Sequence, residues 1–273
     1  MKLNEVPTVV LVASGKGGVG KTTVSSDIAR TASNLGIKTG LIDADISTPN
    51  SPEVVGEGEQ DLSDQRLSTG DSLVPPEVNG IQIASQGTVL PDDVPVLRDG
   101  SWRAETVADY IDNVEWADDT ELVVIDSPPG TGEELQVVAS MAPPDMSFIV
   151  TTPHPSSVRD ATKTHEFFKQ AGFDHGLILN MAYIPHSDIV HHTLLDIDFD
   201  EAEDIGAGNR ELFEEVLSES ITDYNLFGYE PGEGVDIPTE QVATVPYTES
   251  FEMRSAVLED QVRDVAQSAE VEA

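Results

Sequence analysis

The chain has 273 residues, 51 of them acidic and 14 basic, for a formal net charge of -37 and an isoelectric point near 4.1. Without cysteine it can form neither a disulfide nor a thiolate-bound metal site. Without a cluster of Lys and Arg it lacks the footprint that nucleic acid or anionic lipid requires, so neither partner is expected.

Disordered chains are also acidic, but here 38% hydrophobic residues fall into strand and helix runs that can build a core. Acid spread along a lysine-poor chain reads instead as the surface of a protein in molar salt, where charge repulsion is screened over about 3 Å. The first apolar run, residues 9–13, is too short for a signal segment or a bilayer span. A cytoplasmic location, with a high salt content, is therefore expected.

In chain order, residues 9–13 predict a buried strand and residues 22–35 a helix stopped by Gly36. Between them Ser14-Gly15-Lys16-Gly17-Gly18-Val19-Gly20-Lys21-Thr22-Thr23 satisfies the phosphate-loop pattern G-x-x-x-x-G-K-[ST]. Glycines let successive N–H groups turn inward around phosphates at a helix N-terminus. Lys21 can reach the β and γ oxygens, and the Thr22 hydroxyl can hold Mg²⁺.

Residues 39–43 predict a second strand that delivers Asp43-Ala44-Asp45 to the ligand edge of a parallel sheet. Residues 56–80 read as an acidic surface excursion and 81–84 as a short strand. Residues 103–114 have helical spacing, and 122–126 form an apolar strand ending in Asp126. A loop of Ser127-Pro128-Pro129-Gly130-Thr131-Gly132 precedes a helix from 133 to 139. Further strands are expected at 147–152, 177–180 and 242–246, with helices at 156–171, 209–221 and 250–266. Residues 185–208 are irregular and acidic. The alternation predicts one α/β domain over 1–273, a doubly wound, mostly parallel sheet with helices on both faces. An acidic insert occupies about 185–224, and a C-terminal helix and tail 250–273.

Asp126, at the tip of an apolar strand, can take a Mg²⁺-bound water, and the Gly130 N–H can swing onto a γ-phosphate. Asp43 can support the Mg²⁺ shell and Asp45 can orient the attacking water. Lys16 is a second lysine in a loop that already holds Lys21. Such repulsion is easier to explain if Lys16 extends toward a second phosphate cluster.

Lys16-Gly17-Gly18-Val19-Gly20-Lys21-Thr22-Thr23 resembles the deviant Walker A motif of MinD, ParA, the nitrogenase iron protein and the Mrp-type (ApbC-like) iron-sulfur scaffold ATPases. Asp126-Ser127-Pro128-Pro129-Gly130-Thr131-Gly132-Glu133 resembles the Mrp-type D-x-P-P-G-T-G-[DE]. Val150-Thr151-Thr152-Pro153, Asn180-Met181, Asp43-Ala44-Asp45-Ile46 with Pro49, and Leu226-Phe227-Gly228 fit the same type. The resemblance implies a P-loop ATPase fold, ATP and Mg²⁺ as cofactors, and a homodimer in which Lys16 crosses to the partner's nucleotide. It also implies that Asn180 reads the adenine edge, that the backbone around Pro246 lines the base pocket, and that hydrolysis switches an unidentified partner or cargo. A positioning or partition role of MinD or ParA kind is the alternative.

One departure is plain. Where Mrp-type proteins carry a cluster-binding C-x-x-C after the Asn-Met phrase, this chain has Tyr183-Ile184-Pro185-His186-Ser187. His186, Asp188, His191 and His192 lie close in sequence, but that spacing reads as surface-loop histidines before it reads as a replacement metal site.

Overall fold

The computed structural model describes residues 1–46, 49–56, 73–85, 107–108, 111–184, 224–225, 235–248 and 250–272. A short 3-10 turn, Leu3–Glu5, leads into β1 (Thr8–Ser14), α1 (Lys21–Asn34), β2 (Thr39–Asp43), α2 (Ser51–Gly56), β3 (Glu77–Val78) and β4 (Ile81–Ser85). β5 (Leu122–Asp126), α3 (Glu133–Met141), β6 (Met146–Thr151), α4 (Pro155–Ala171) and β7 (His175–Leu179) follow. The last elements are β8 (Tyr183–Ile184), β9 (Tyr224–Asn225), β10 (Gln241–Thr244) and α5 (Phe251–Glu272).

Eight strands make one sheet in the order β10-β7-β6-β1-β5-β2-β4-β3, and β8 pairs with β9 apart from it. Every pair in the large sheet is parallel except β3 with β4. From β1 the chain travels one way through β2 and β4, returns to insert β5, and then travels the other way through β6, β7 and β10. That reversal opens a crevice at the carboxyl ends of the central strands, where doubly wound folds bind ligands.

Strand periodicity builds the two cores. On β1, Val9, Leu11 and Ala13 pack with Leu135 and Val138 of α3 and Phe168 of α4. Val10 and Val12, on the other face, pack with Val24 and Ile28 of α1 and Leu258 and Val262 of α5. All seven residues of β1 are buried, as strands covered on both faces require.

Helix ends follow local chemistry. Gly36, at φ 88°, ends the first helical run, and Gly172, at φ 78°, caps α4. At the other end of α4 the His154 side chain accepts from Ser156 N, and Pro155 occupies the first turn. Inside α4, His165 hydrogen-bonds His175 of β7, Nδ1 to Nε2 at 2.8 Å, while His175 Nδ1 donates to Phe173 O at 2.8 Å. α5 is clamped to α1 by Arg254, whose guanidinium donates to both carboxylate oxygens of the buried Asp27.

The strands expected at 9–13, 39–43, 81–84, 122–126, 147–152, 177–180 and 242–246 and the helices at 22–35, 133–139 and 156–171 match these elements to within two residues at each end, and the helix expected at 250–266 runs on to Glu272 as α5. Within the expected excursion at 56–80, however, β3 folds back on β4 through Asn79-Gly80, and Leu73 bridges Val114. The helical spacing at 103–114 appears as helix at 107–108 and 111–113. The expected helix at 209–221, the insert at about 185–224 apart from Tyr224, the histidines at 186, 191 and 192, and the Leu226-Phe227-Gly228 phrase lie outside the described residues. Among the described residues no helix is long and apolar enough to cross a membrane.

Candidate functional site

The phosphate loop leaves β1 at Ser14 and enters α1 at Lys21. Two glycines are required by contact. A Cβ on Gly15 would collide with the Asp160 backbone of α4, and one on Gly20, at φ 82°, would collide with the Asn180 amide. Gly17 and Gly18 are exposed, Val19 is buried, and Thr23 is half-buried on the first turn of α1.

Below the loop, β2 and β5 end level, with Asp43 paired in register with Asp126. Lys21 Nζ donates to Asp126 Oδ1 at 2.7 Å, and Thr22 Oγ1 donates to Asp126 Oδ2 at 2.7 Å. Asp126 is fully buried and Lys21 nearly so. Asp43 accepts from Ser51 N at 3.0 Å on one oxygen and from Asp45 N at 3.2 Å on the other. Burial, and then the neighbouring Asp126 charge, push the Asp43 carboxyl up to about 7. Asp45, two residues beyond the end of β2, is half-buried.

The second lysine is held within its own chain. Lys16 Nζ donates to Ser156 Oγ at 2.9 Å, and that hydroxyl lies 2.9 Å from His154 Nδ1. The Gly130 N–H donates to Ser14 O at 2.8 Å. Asn180 Nδ2 donates to Val19 O at 2.8 Å, tying the end of β7 to the loop. Val245 N donates to Leu179 O at 2.8 Å and Ala182 N to Val245 O at 3.2 Å, so the residue before the buried Pro246 is bonded to the chain on either side of Asn180-Met181.

The described phosphate-loop residues, Asp43, Asp45, Asp126, Gly130, Asn180 and Pro246 thus follow the carboxyl ends of β1, β2, β5, β7 and β10. Unanticipated are Ser51, the backbone donor to Asp43, and Ser156, the partner of Lys16. A serine in the first turn after Thr151-Thr152-Pro153 was the available sign of the latter. A cavity of about 660 Å³ opens at the opposite edge, where β1, β6 and β7 begin, and no phosphate-loop residue lines it. Among the described residues no cluster of three or more His, Cys, Asp or Glu is placed to hold a metal. The oxygen set that does exist, Thr22 with Asp126 and Asp43, suits a hard cation of the Mg²⁺ kind.

A glycine loop between strand and helix, a loop lysine and threonine converging on a strand-end aspartate, and a doubly wound parallel sheet define a P-loop NTPase. Residues 5–199 match the ParA family described as NUBPL iron-transfer P-loop NTPase. The chain belongs to that family.

Among its relatives, the iron-sulfur cluster carrier protein of Bacillus subtilis is 35% identical over 186 residues, covering 67% of this chain and 51% of that protein. The carrier protein of Pyrococcus furiosus is 32% identical over 187 residues, covering 65% and 63%. The chain therefore spans only about half to two thirds of the length of these relatives. A nucleotide-binding protein from Archaeoglobus fulgidus, solved with ADP, shares the fold at a TM-score of 0.63 and 22% identity, covering 99% of this chain and 90% of that one. MinD of Pyrococcus horikoshii, solved with Mg-ADP, does so at 0.57 and 18%, covering 97% and 98%.

Proposed function

We propose that the chain is a Mg²⁺-dependent ATPase that dimerises around ATP and uses hydrolysis to switch a partner or cargo interaction. Residues 1–273 act in this proposal as one ATPase domain. The observation that carries it is the convergence of Lys21 and Thr22 on Asp126 beneath a loop with a second lysine. The iron-sulfur carrier relatives support a cargo of that class. With no cysteine in these 273 residues, such cargo is not held by thiolates of this chain.

Thr22, Asp126 and Asp43 are the residues that would hold Mg²⁺, whose charge would offset that of the phosphates when bound. Lys21 exchanges Asp126 for the β and γ oxygens. The Gly130 N–H exchanges Ser14 O for the γ-phosphate, and Asp45 orients the attacking water. Asn180 reads the base beside Pro246. Lys16 leaves Ser156 for the partner protomer's nucleotide, a role that can contribute roughly 10³ to 10⁵ in rate when a cation acts in trans.

A positioning ATPase that binds membrane would need a basic amphipathic surface. α5 carries Glu252, Glu259, Asp260, Asp264, Glu270 and Glu272 against Arg254 and Arg263, which favours the cargo-switching reading. The compartment most consistent with a charge of -37 is a cytoplasm of high salt.

Phosphate release by the purified chain in molar KCl, with and without Mg²⁺, tests the activity. Lys16→Ala should abolish hydrolysis while retaining ATP binding. Full turnover by that variant would remove the role in trans.

A further inference from the structure

At the start of α4 one hydroxyl is held between a cation and a base. Lys16 Nζ donates to Ser156 Oγ at 2.9 Å, and the same oxygen lies 2.9 Å from His154 Nδ1. The direction of the second bond follows from a third contact. Ser156 N, which can only donate, is bonded to His154 Nδ1 at 3.2 Å, so that nitrogen presents a lone pair and the ring proton sits on Nε2. The Ser156 hydroxyl therefore donates to Nδ1.

A hydroxyl has one proton and two lone pairs. Here the proton is directed at the imidazole and one lone pair at the ammonium, and among the described residues nothing takes the other. A nucleophile within hydrogen-bond reach of a base, with the base oriented by a further bond, is the arrangement that activates a serine. Ser156 is half-buried and His154 exposed, so a substrate has access. The adjoining Ser157 is unsuited, being buried with its Oγ accepting from Thr152 Oγ1 at 2.8 Å. Gly15 packs on the Asp160 backbone with no room for a Cβ, which keeps the phosphate loop against α4 and Lys16 against Ser156.

We propose that Ser156 is a phosphoryl acceptor, the site at which this chain takes the γ-phosphoryl group of a nucleoside triphosphate onto its own side chain. The assignment rests on the reading above, in which Lys16 meets the partner protomer's nucleotide. Ser156 Oγ forms the new bond to the γ-phosphorus while the bond from that phosphorus to the β,γ-bridging oxygen breaks. The serine proton passes to His154 Nδ1, and the nucleoside diphosphate leaves with the bonding pair. A phosphoserine carries about -1.5 to -2 charges at neutral pH. Formed where Lys16 now meets a neutral oxygen, it makes that contact an ion pair and ties the lysine to its own chain.

Incubation of the full chain in molar KCl with Mg-ATP radiolabelled in its γ-phosphate tests this, with released phosphate and protein-bound label counted in the same sample and the label located by peptide mapping. The parent should carry label on Ser156. Ser156→Ala should lose it while still releasing phosphate, and Ser156→Thr should regain it. His154→Gln should slow labelling about a hundredfold with phosphate release retained. A parent that releases phosphate but carries no label, a Ser156→Ala variant labelled as the parent is, or a His154→Gln variant labelled at the parent's rate would each overturn the assignment. A parent that neither releases phosphate nor takes up label would overturn the ATPase reading and this assignment with it.

Discussion

Two lysines of one loop hold partners within the same chain, and each partner sets a cost for engaging phosphate. Lys21 is locked to Asp126 in a buried pair. Removing one member of such a pair strands the other charge, typically at about 3 to 5 kcal/mol. Asp126→Asn should therefore lower the melting midpoint by roughly 10 °C in addition to abolishing turnover, read by calorimetry. Lys16 sits on a neutral hydroxyl, so Ser156→Ala removes a competitor for its ammonium together with that hydroxyl's contact to His154 Nδ1. That variant should form the proposed ATP-dependent dimer about tenfold more tightly, as sedimentation in a non-hydrolysable analogue would show. The loop and its acids were legible because glycine spacing and acids at the ends of apolar runs are local signals. The holders of the lysines were not, since Ser156 lies 140 positions from Lys16 and Asp126 lies 105 from Lys21.

Between elements, polar contacts of this buried kind decide how helices sit. Burial raises the Asp27 carboxyl against the opposing pull of Arg254. Arg254→Met should cost about 3 kcal/mol or more by leaving Asp27 without its cation, and the double change with Asp27→Leu should recover most of that loss in urea melts. The histidine pair joining α4 to β7 adds a pH dependence. Burial, and then the neighbouring His175, hold His165 below the ordinary imidazole value, so the fold disfavours its proton. Its stabilising contribution is whole above about pH 6.5 and is lost as the pH falls through the lower folded value. Denaturation midpoints should drop less between pH 7 and pH 5 for His165→Gln than for the parent, the carboxylates being common to both. The hairpin of β3 and β4 did carry a sign in the sequence. Asn79-Gly80, at φ 50° and 79°, is the pair that a tight primed turn demands. It was hidden by the acidic stretch before it. α2 has only six residues and too little periodicity to read.

For the molecule as a whole, alternation of apolar strands and amphipathic helices announces a parallel sheet, but strand order depends on which crossover returns between which neighbours. The insertion of β5 between β1 and β2 carries no local mark, yet it brings Asp43 beside Asp126. Charge acts at this scale too. At -37, the fold should gain stability steadily as KCl is raised toward molar concentrations, and a melting temperature indifferent to KCl would contradict a high-salt habitat.

The grip of Asn180 on Val19, possible only because Gly20 lacks a Cβ, also works as a tether. A pull on the loop at Val19 would pass through that bond to Asn180 and so to Met181 and Ala182. Slower amide exchange at Met181 and Ala182 when nucleotide binds would be the trace of that pull.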